Sequence, residues 1–322
     1  MDDLKALAEF SARIGSDPEQ VQAGGGNTSL KLDGTLWVKA SGFWLADATK
    51  SDLFVPVDTA RVLDAIDGGD EGDVRAATIA DKNPAGLRPS IETSLHALLP
   101  HRFVVHTHSV RTIAIAIRKD AEARFAERLQ GLSWAFVPYV FPGLPLTRAI
   151  RDAIDSRPID VIVMGNHGLV VAADDLDAAA ALLGEVERRL DAPTLKLESA
   201  APPSRAGLRP VRHAAANALA HHARLRERAA AGSYYPDHVI FLGPAAATPA
   251  SCRPGQHLLL VPDEGAYLAE DAQPAADELA LCLALVLARV PDDAELIRFT
   301  AAEEAALLGW DAEKYRQSLT RL

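Results

Sequence analysis

The sequence predicts a layered fold of mixed helices and strands, and three observations carry that expectation. A glycine-rich loop runs into an alternating hairpin between 24 and 39, short valine-rich strands recur near 103 and 161, and alanine- and leucine-rich stretches with helical spacing follow them. Strands mixed with helices, with hairpins among them, favour an α/β or α+β arrangement over a bundle or a sandwich.

Residues 2–14 read as a helix, and Ser16-Asp17-Pro18 punctuates the chain and could cap the next one. After Gly24-Gly25-Gly26-Asn27, the alternation at 28–32, the pair Asp33-Gly34 and the alternation at 35–39 predict a β-hairpin with a glycine-rich entrance. A helix-like stretch at 91–99 leads into a strand at 103–108, and strands at 161–164 and 169–171 flank Gly165-Asn166-His167-Gly168. Residues 174–190 have helical spacing, and the polar, proline-bearing segment 201–212 reads as a connector. The expected organisation is one domain over 1–200 and an α/β extension over 213–322. The extension should hold a helix at 213–231, strands at 239–242 and 257–261, and helices at 274–289 and 301–319.

With 322 residues, 48% of them hydrophobic, the chain can bury a sizeable core. Forty-four acidic against thirty-three basic side chains give a formal charge of −11, the wrong sign for nonspecific attraction to nucleic-acid phosphates or an anionic membrane. Neither is an expected partner. The most apolar run, 279–288, is too short to span a bilayer, and MDDLKALAEF lacks the basic-then-apolar pattern of a secretory leader, so a cytoplasmic protein is expected. Cys252 and Cys282 lie outside any metal-ligand spacing and read as structural thiols.

His106 and His108 are two apart in a strand-like run, so both imidazoles leave the same face and can reach one ion at about 2.0–2.1 Å. In a chain with ten histidines that pair is equally read as chance. His167, in a tight turn after a Val-Ile-Val-Met strand, adds a third side chain that a turn can aim at a point, although alone it reads as a loop residue. Glu92 stands at the start of a helix, where a carboxylate is favoured by the dipole; beside three histidines it could instead serve as a yielding fourth ligand and proton-moving base, a role that asks for a raised pKa. His96, one turn later, orients or packs. The amides of the loop at 24–29, together with Lys39-Ala40-Ser41-Gly42 and Arg88-Pro89-Ser90, could converge on one phosphate or carboxylate, and the same residues also read as turns and surface cations.

Five ordered motifs then stand out over about 150 residues: Gly-Gly-Gly-Asn-Thr-Ser at 24–29, Lys-Ala-Ser-Gly at 39–42, Pro-Ser-Ile-Glu-Thr-Ser-Leu-His at 89–96, His-Thr-His-Ser at 106–109 and Met-Gly-Asn-His-Gly at 164–168. Together they resemble the class II aldolase/adducin family. The resemblance implies a three-layer α/β/α domain around a mostly antiparallel sheet, assembled as a homo-oligomer, commonly a cyclic tetramer. It implies that His106, His108 and His167 bind zinc or another divalent ion with Glu92 beside it. It also implies that Asn27, Ser41, Gly42 and Ser90, aided by Lys39 and Arg88, hold the substrate's phosphate. Tyr139 resembles the tyrosine that donates a proton from a neighbouring subunit. Two departures touch phosphate recognition: the stretch between Glu92 and His106 is shorter than in fuculose-phosphate aldolases, and Ile91 stands where a second serine is common.

A closer likeness is to the aldolase portion of bifunctional rhamnulose-phosphate aldolase/short-chain dehydrogenase proteins, echoed at 235–240, 260–265 and 303–315. No Gly-x-Gly-x-x-Gly follows a strand, so no nicotinamide chemistry is expected. The expected activity is retro-aldol cleavage of a sugar phosphate or related hydroxy-keto compound through a metal-stabilised enediolate. A 4-epimerase or a decarboxylase of phosphorylated keto acids would use the same ligands, and Lys39 and Arg88 suit a carboxylate as well as a phosphate. An adducin-like interaction protein is the reading from outside enzymology.

Overall fold

Alternating apolar and polar side chains produce the first hairpin, β1 (Asn27–Leu32) and β2 (Thr35–Lys39), turned through Asp33 and Gly34. Both turn residues have positive φ, 49° and 75°, the geometry that matches the twist of the flanking strands. The structure, a computed structural model, describes residues 2–154, 157–197 and 202–319. Five more strands complete the sheet: β3 (Phe54–Asp58), β4 (Phe103–Thr107), β5 (Trp134–Val137), β6 (Val161–Met164) and β7 (Gly168–Ala173). Their order is β3-β2-β1-β4-β7-β6-β5, and every neighbouring pair is antiparallel except β5 with β6.

Side-chain alternation assigns helices to both faces. Ser29 meets His96 of the helix Thr93–Leu98 on one face, while its neighbour Thr28 meets Ser11 of the helix Asp2–Gly15 on the other. The first face carries two apolar clusters. Leu36, Val38, Val55 and Val57 pack on Val62, Ala65 and Ile66 of the helix Thr59–Gly68, and Val104, Ile162 and Val170 pack on Leu95, Leu146 and Ile150. The helix Leu176–Leu190 packs on β4 and β7. Helices therefore flank a mostly antiparallel seven-stranded sheet, which is the fold class expected.

By internal contacts the chain divides into two compact units, Met1–Ser109 with Glu122–Leu190, and Val110–Ala121 with Asp191–Leu322. This division precedes the connector at 201–212, whose first residue lies outside those described. It also assigns the helix Val110–Ala116 to the second unit, because that helix packs on the almost wholly buried helix Pro274–Arg289. The second unit also holds a small antiparallel sheet, β8 (Leu208–Pro210), β9 (Leu258–Val261) and β10 (Gly265–Ala269), in the order β8-β10-β9.

Several expectations for this unit are corrected. The strand expected at 239–242 is the end of a helix, Pro236–Leu242, begun by Pro236 and ended at Gly243, φ 84°. A short apolar run has no periodicity that separates a strand from a buried helix, and the proline start settles it here. The helices expected at 213–231 and 301–319 are each broken in two, at His222 and Trp310. Tyr234, Tyr235 and His238 are core residues, and the Tyr234 hydroxyl donates to the Arg228 carbonyl at 2.7 Å. Cys282 is buried, whereas Cys252 is exposed. Among the described residues no helix is long and apolar enough to cross a membrane.

Candidate metal centre

His106 lies near the end of β4 and faces the same side as Val104, toward the helix that follows Glu92. Its Nδ1 is 2.9 Å from the Leu169 carbonyl on β7. A carbonyl only accepts, so Nδ1 carries the hydrogen and the Nε2 lone pair is directed inward. His108 follows two residues later, and its backbone carbonyl accepts from Gln22 Nε2 at 3.4 Å. His167 sits in the tight turn between β6 and β7, where Asn166 takes φ 51°, a conformation asparagine tolerates.

The three rings meet edge to face with centroids 4.9, 5.1 and 5.3 Å apart. One nitrogen from each lies within 4.8 Å of the others, and the residues are 0, 6 and 5% exposed. A buried set of three imidazole nitrogens this close together could hold a divalent ion.

Gly168 makes the close approach possible. A Cβ there would stand 2.4 Å from the Thr107 carbonyl oxygen and 3.2 Å from His106 Cε1. Gly168→Ala should therefore push β7 away from β4 and displace the His106 ring, lowering stability by about 1–3 kcal/mol. Urea unfolding measures this, and an unchanged midpoint would contradict the packing described.

Glu92 is the residue preceding the helix Thr93–Leu98 and is buried. Its Oε2 is 3.4 Å from His106 Nε2 and its Oε1 is 3.3 Å from His167 Nε2. Burial alone would push this carboxyl up, but His106, His167 and His108, with the Asn27 amide, outweigh burial and hold it at about 2. The raised pKa expected for a base is thus not found, and Glu92 stands ionised at neutral pH.

Asn27 Nδ2 donates to Glu92 Oε2 at 2.7 Å and to Ser90 Oγ at 3.2 Å. Residues 88–90 run antiparallel to 39–41: Ser41 N donates to the Arg88 carbonyl and Ser90 N to the Lys39 carbonyl, each at 2.9 Å. Gly42, φ 82°, lies against Gly24. Asn27, at the end of the glycine loop, thus ties Ser90 to Glu92, while Ser41 and Gly42 lie beside Arg88 and Gly24.

Lys39 behaves otherwise. It is 2% exposed, and its Nζ donates to the carbonyls of Gly24, Gly26 and Gly25 at 2.7, 2.8 and 3.3 Å. The ammonium expected to meet substrate is instead directed into the glycine loop and organises it. Arg88 contributes its carbonyl to the bridge while the residue is exposed. Tyr139, half-buried after β5, places its backbone nitrogen 3.0 Å from where a Gly165 Cβ would be, beside the turn that carries His167. His96 is fully buried; its Nδ1 is 2.7 Å from Ser29 Oγ and its Nε2 contacts Asn27 Oδ1. Burial, then the neighbouring His106, lowers its pKa to about 3, so the ring is neutral.

Residues 5–192 match the family model described as Class II Aldolase and Adducin N-terminal domain. The chain is 35% identical over 182 residues to a Bacillus subtilis (strain 168) protein named uncharacterized oxidoreductase YuxG, covering 52% of this chain and 26% of that protein. It is 36% identical over 98 residues to methylthioribulose-1-phosphate dehydratase of Pectobacterium carotovorum subsp. carotovorum (strain PC1), covering 27% of this chain and 47% of that one. The chain thus spans about a quarter and about half of these relatives' lengths. Among solved structures, the N-terminal class II aldolase domain of a conserved protein from Thermoplasma acidophilum is similar at 28% identity and a TM-score of 0.49, covering 57% of this chain and 90% of that domain.

Proposed function

Because the chain belongs to the class II aldolase and adducin family, we propose that it is a metal-dependent carbon–carbon lyase acting by retro-aldol cleavage on a phosphorylated ketose or related hydroxy-keto compound. One observation carries this reading: three buried imidazoles converge within 4.8 Å, with the Glu92 carboxylate 3.3–3.4 Å from two of them. His106, His108 and His167 would hold the ion, and three imidazoles are a ligand set that zinc accepts. Bound there, a divalent ion supplies Lewis-acid polarisation of a substrate carbonyl.

The chain's own residues do the rest. Glu92 Oε2 is engaged by Asn27, which leaves Oε1 to take a proton from, or return it to, the carbon beside the carbonyl. In cleavage Tyr139 relays away the proton of the hydroxyl that becomes the aldehyde, and in the reverse direction it donates that proton to the aldehyde oxygen, within its own copy or across a homo-oligomer, for which a tetramer is the family's usual form. Ser41, Gly42 and Ser90 hold the phosphate, with the glycine-loop amides as further donors. Asn27 belongs to Glu92 more than to the phosphate, since its amide nitrogen already donates to Glu92 and Ser90. A cytoplasmic setting is part of the same proposal.

The identity with a protein named methylthioribulose-1-phosphate dehydratase favours one second reading, water elimination from a phosphorylated ketose at the same site. A substrate panel separates the outcomes by detecting dihydroxyacetone phosphate with an aldehyde, carbon dioxide, an epimer, or a dehydrated ketose. Release of dihydroxyacetone phosphate with an aldehyde supports the lyase. Turnover through any other product, without cleavage, sinks it. The non-catalytic alternative, an adducin-like interaction protein, is opposed by the presence of all three histidines and Glu92 in one buried cluster.

A further inference from the structure

Four buried side chains of the first unit form one continuous hydrogen-bonded chain: Ser29, His96, Asn27 and Glu92. Two periodicities build it. Asn27 and Ser29 are two apart on β1 and face the same side, and Glu92 and His96 are four apart at the start of a helix, joined by His96 N donating to the Glu92 carbonyl at 3.4 Å. The register that pairs Asn27 with His106 sets the whole chain beside the three histidines.

Its directions follow from the carboxylate end. A carboxylate oxygen only accepts, so the Asn27 atom 2.7 Å from Glu92 Oε2 is the amide nitrogen, and the amide oxygen faces His96. That oxygen also only accepts, so the hydrogen of a neutral His96 ring is on Nε2. Nδ1 then accepts from the Ser29 hydroxyl, 2.7 Å away.

We infer that His96 is a positioning residue: its Nε2–H holds the Asn27 amide in the one orientation that gives Glu92 Oε2 a donor and leaves Oε1 beside His167. The purpose of the orientation rests on the reading of Glu92 as the proton-moving group; the orientation itself does not. A reversed amide would set its oxygen against the carboxylate, and Glu92 would swing out of place. His96 therefore acts through Asn27 and not by touching substrate.

Two measurements test this. In the full chain labelled with 15N-histidine, NMR reports which ring nitrogen carries the hydrogen, and His96→Gln identifies the His96 signals by their loss. The expected result, in both the metal-free and the zinc-loaded protein, is hydrogen on Nε2 and none on Nδ1; hydrogen on Nδ1, or on both, overturns the proposal. The second measurement compares two variants. Glutamine places its amide nitrogen near the position of Nε2 and can still donate to Asn27, whereas asparagine reaches only the position of Nδ1. His96→Gln should keep turnover close to wild type, and His96→Asn should lower kcat about 10–100-fold with KM and zinc content unchanged. Equal losses in the two variants, or the reverse order, overturn the positioning role. If wild type turns over nothing on the panel, the functional reading fails, and the nitrogen assignment still decides the orientation because it needs neither substrate nor metal.

Discussion

His106→Ala should lose stoichiometric metal and lower turnover on the order of a thousandfold, since Lewis-acid stabilisation contributes several kcal/mol and each 1.4 kcal/mol is tenfold. The effect should be this large because His106 is fully buried and its ring is fixed by the Leu169 carbonyl. Its removal leaves two imidazoles from less constrained positions, one beyond the end of β4 and one in the β6–β7 turn. Loss of the ring also opens space and leaves the Leu169 carbonyl without that donor, so circular dichroism should accompany metal analysis to confirm that the variant is folded. A folded variant retaining both metal and turnover would show that His106 is not a ligand.

Glu92→Gln should separate metal binding from proton transfer. The substitution keeps the size of the side chain, and its carbonyl can still accept from Asn27 Nδ2, so the helix start and the neighbouring Ser90 should be undisturbed. What it loses is a group able to take a proton, and general acid–base groups contribute typically about 10²–10⁴-fold. Turnover should fall by that range while most of the metal is retained. Wild-type turnover with wild-type metal content would remove Glu92 from the mechanism.

Local patterning made much of this architecture legible. The hairpin at 27–39 could be read because alternation and a turn pair with positive φ are neighbour-to-neighbour properties. His106 and His108 could be read because a strand repeats its faces every two residues, whatever packs on it. His167 could be read only as one member of an ordered set of motifs, since a turn histidine has no periodicity of its own.

What escaped depends on residues distant in the chain. Lys39 has the composition of an anion-binding lysine, and only its burial under the carbonyls of residues 24–26 shows that it holds the loop. The base role read for Glu92 asks for a raised pKa, and burial acts in that direction, but the three histidines and the Asn27 amide, a partner supplied by a distant strand, outweigh it. His96 signalled itself only by standing four residues after Glu92, and its link to Ser29 and Asn27 needed the pairing of β1 with β4 and the helix laid across them. Residues 239–242 are four consecutive apolar side chains that fit a strand or a buried helix equally, and the helix is decided by its start at Pro236, outside that run. The helix at 110–116 joined the second unit through a partner more than 150 positions later, which no local pattern reports.

The most direct test of the central claim is the metal content of the purified protein after it is stripped with a chelator and reloaded with zinc. The account predicts about one tightly held divalent ion per chain, bound by the three imidazoles, with none retained by folded His106→Ala. A folded wild-type chain that takes up no stoichiometric ion, or a His106→Ala variant that takes up as much as wild type, would contradict it.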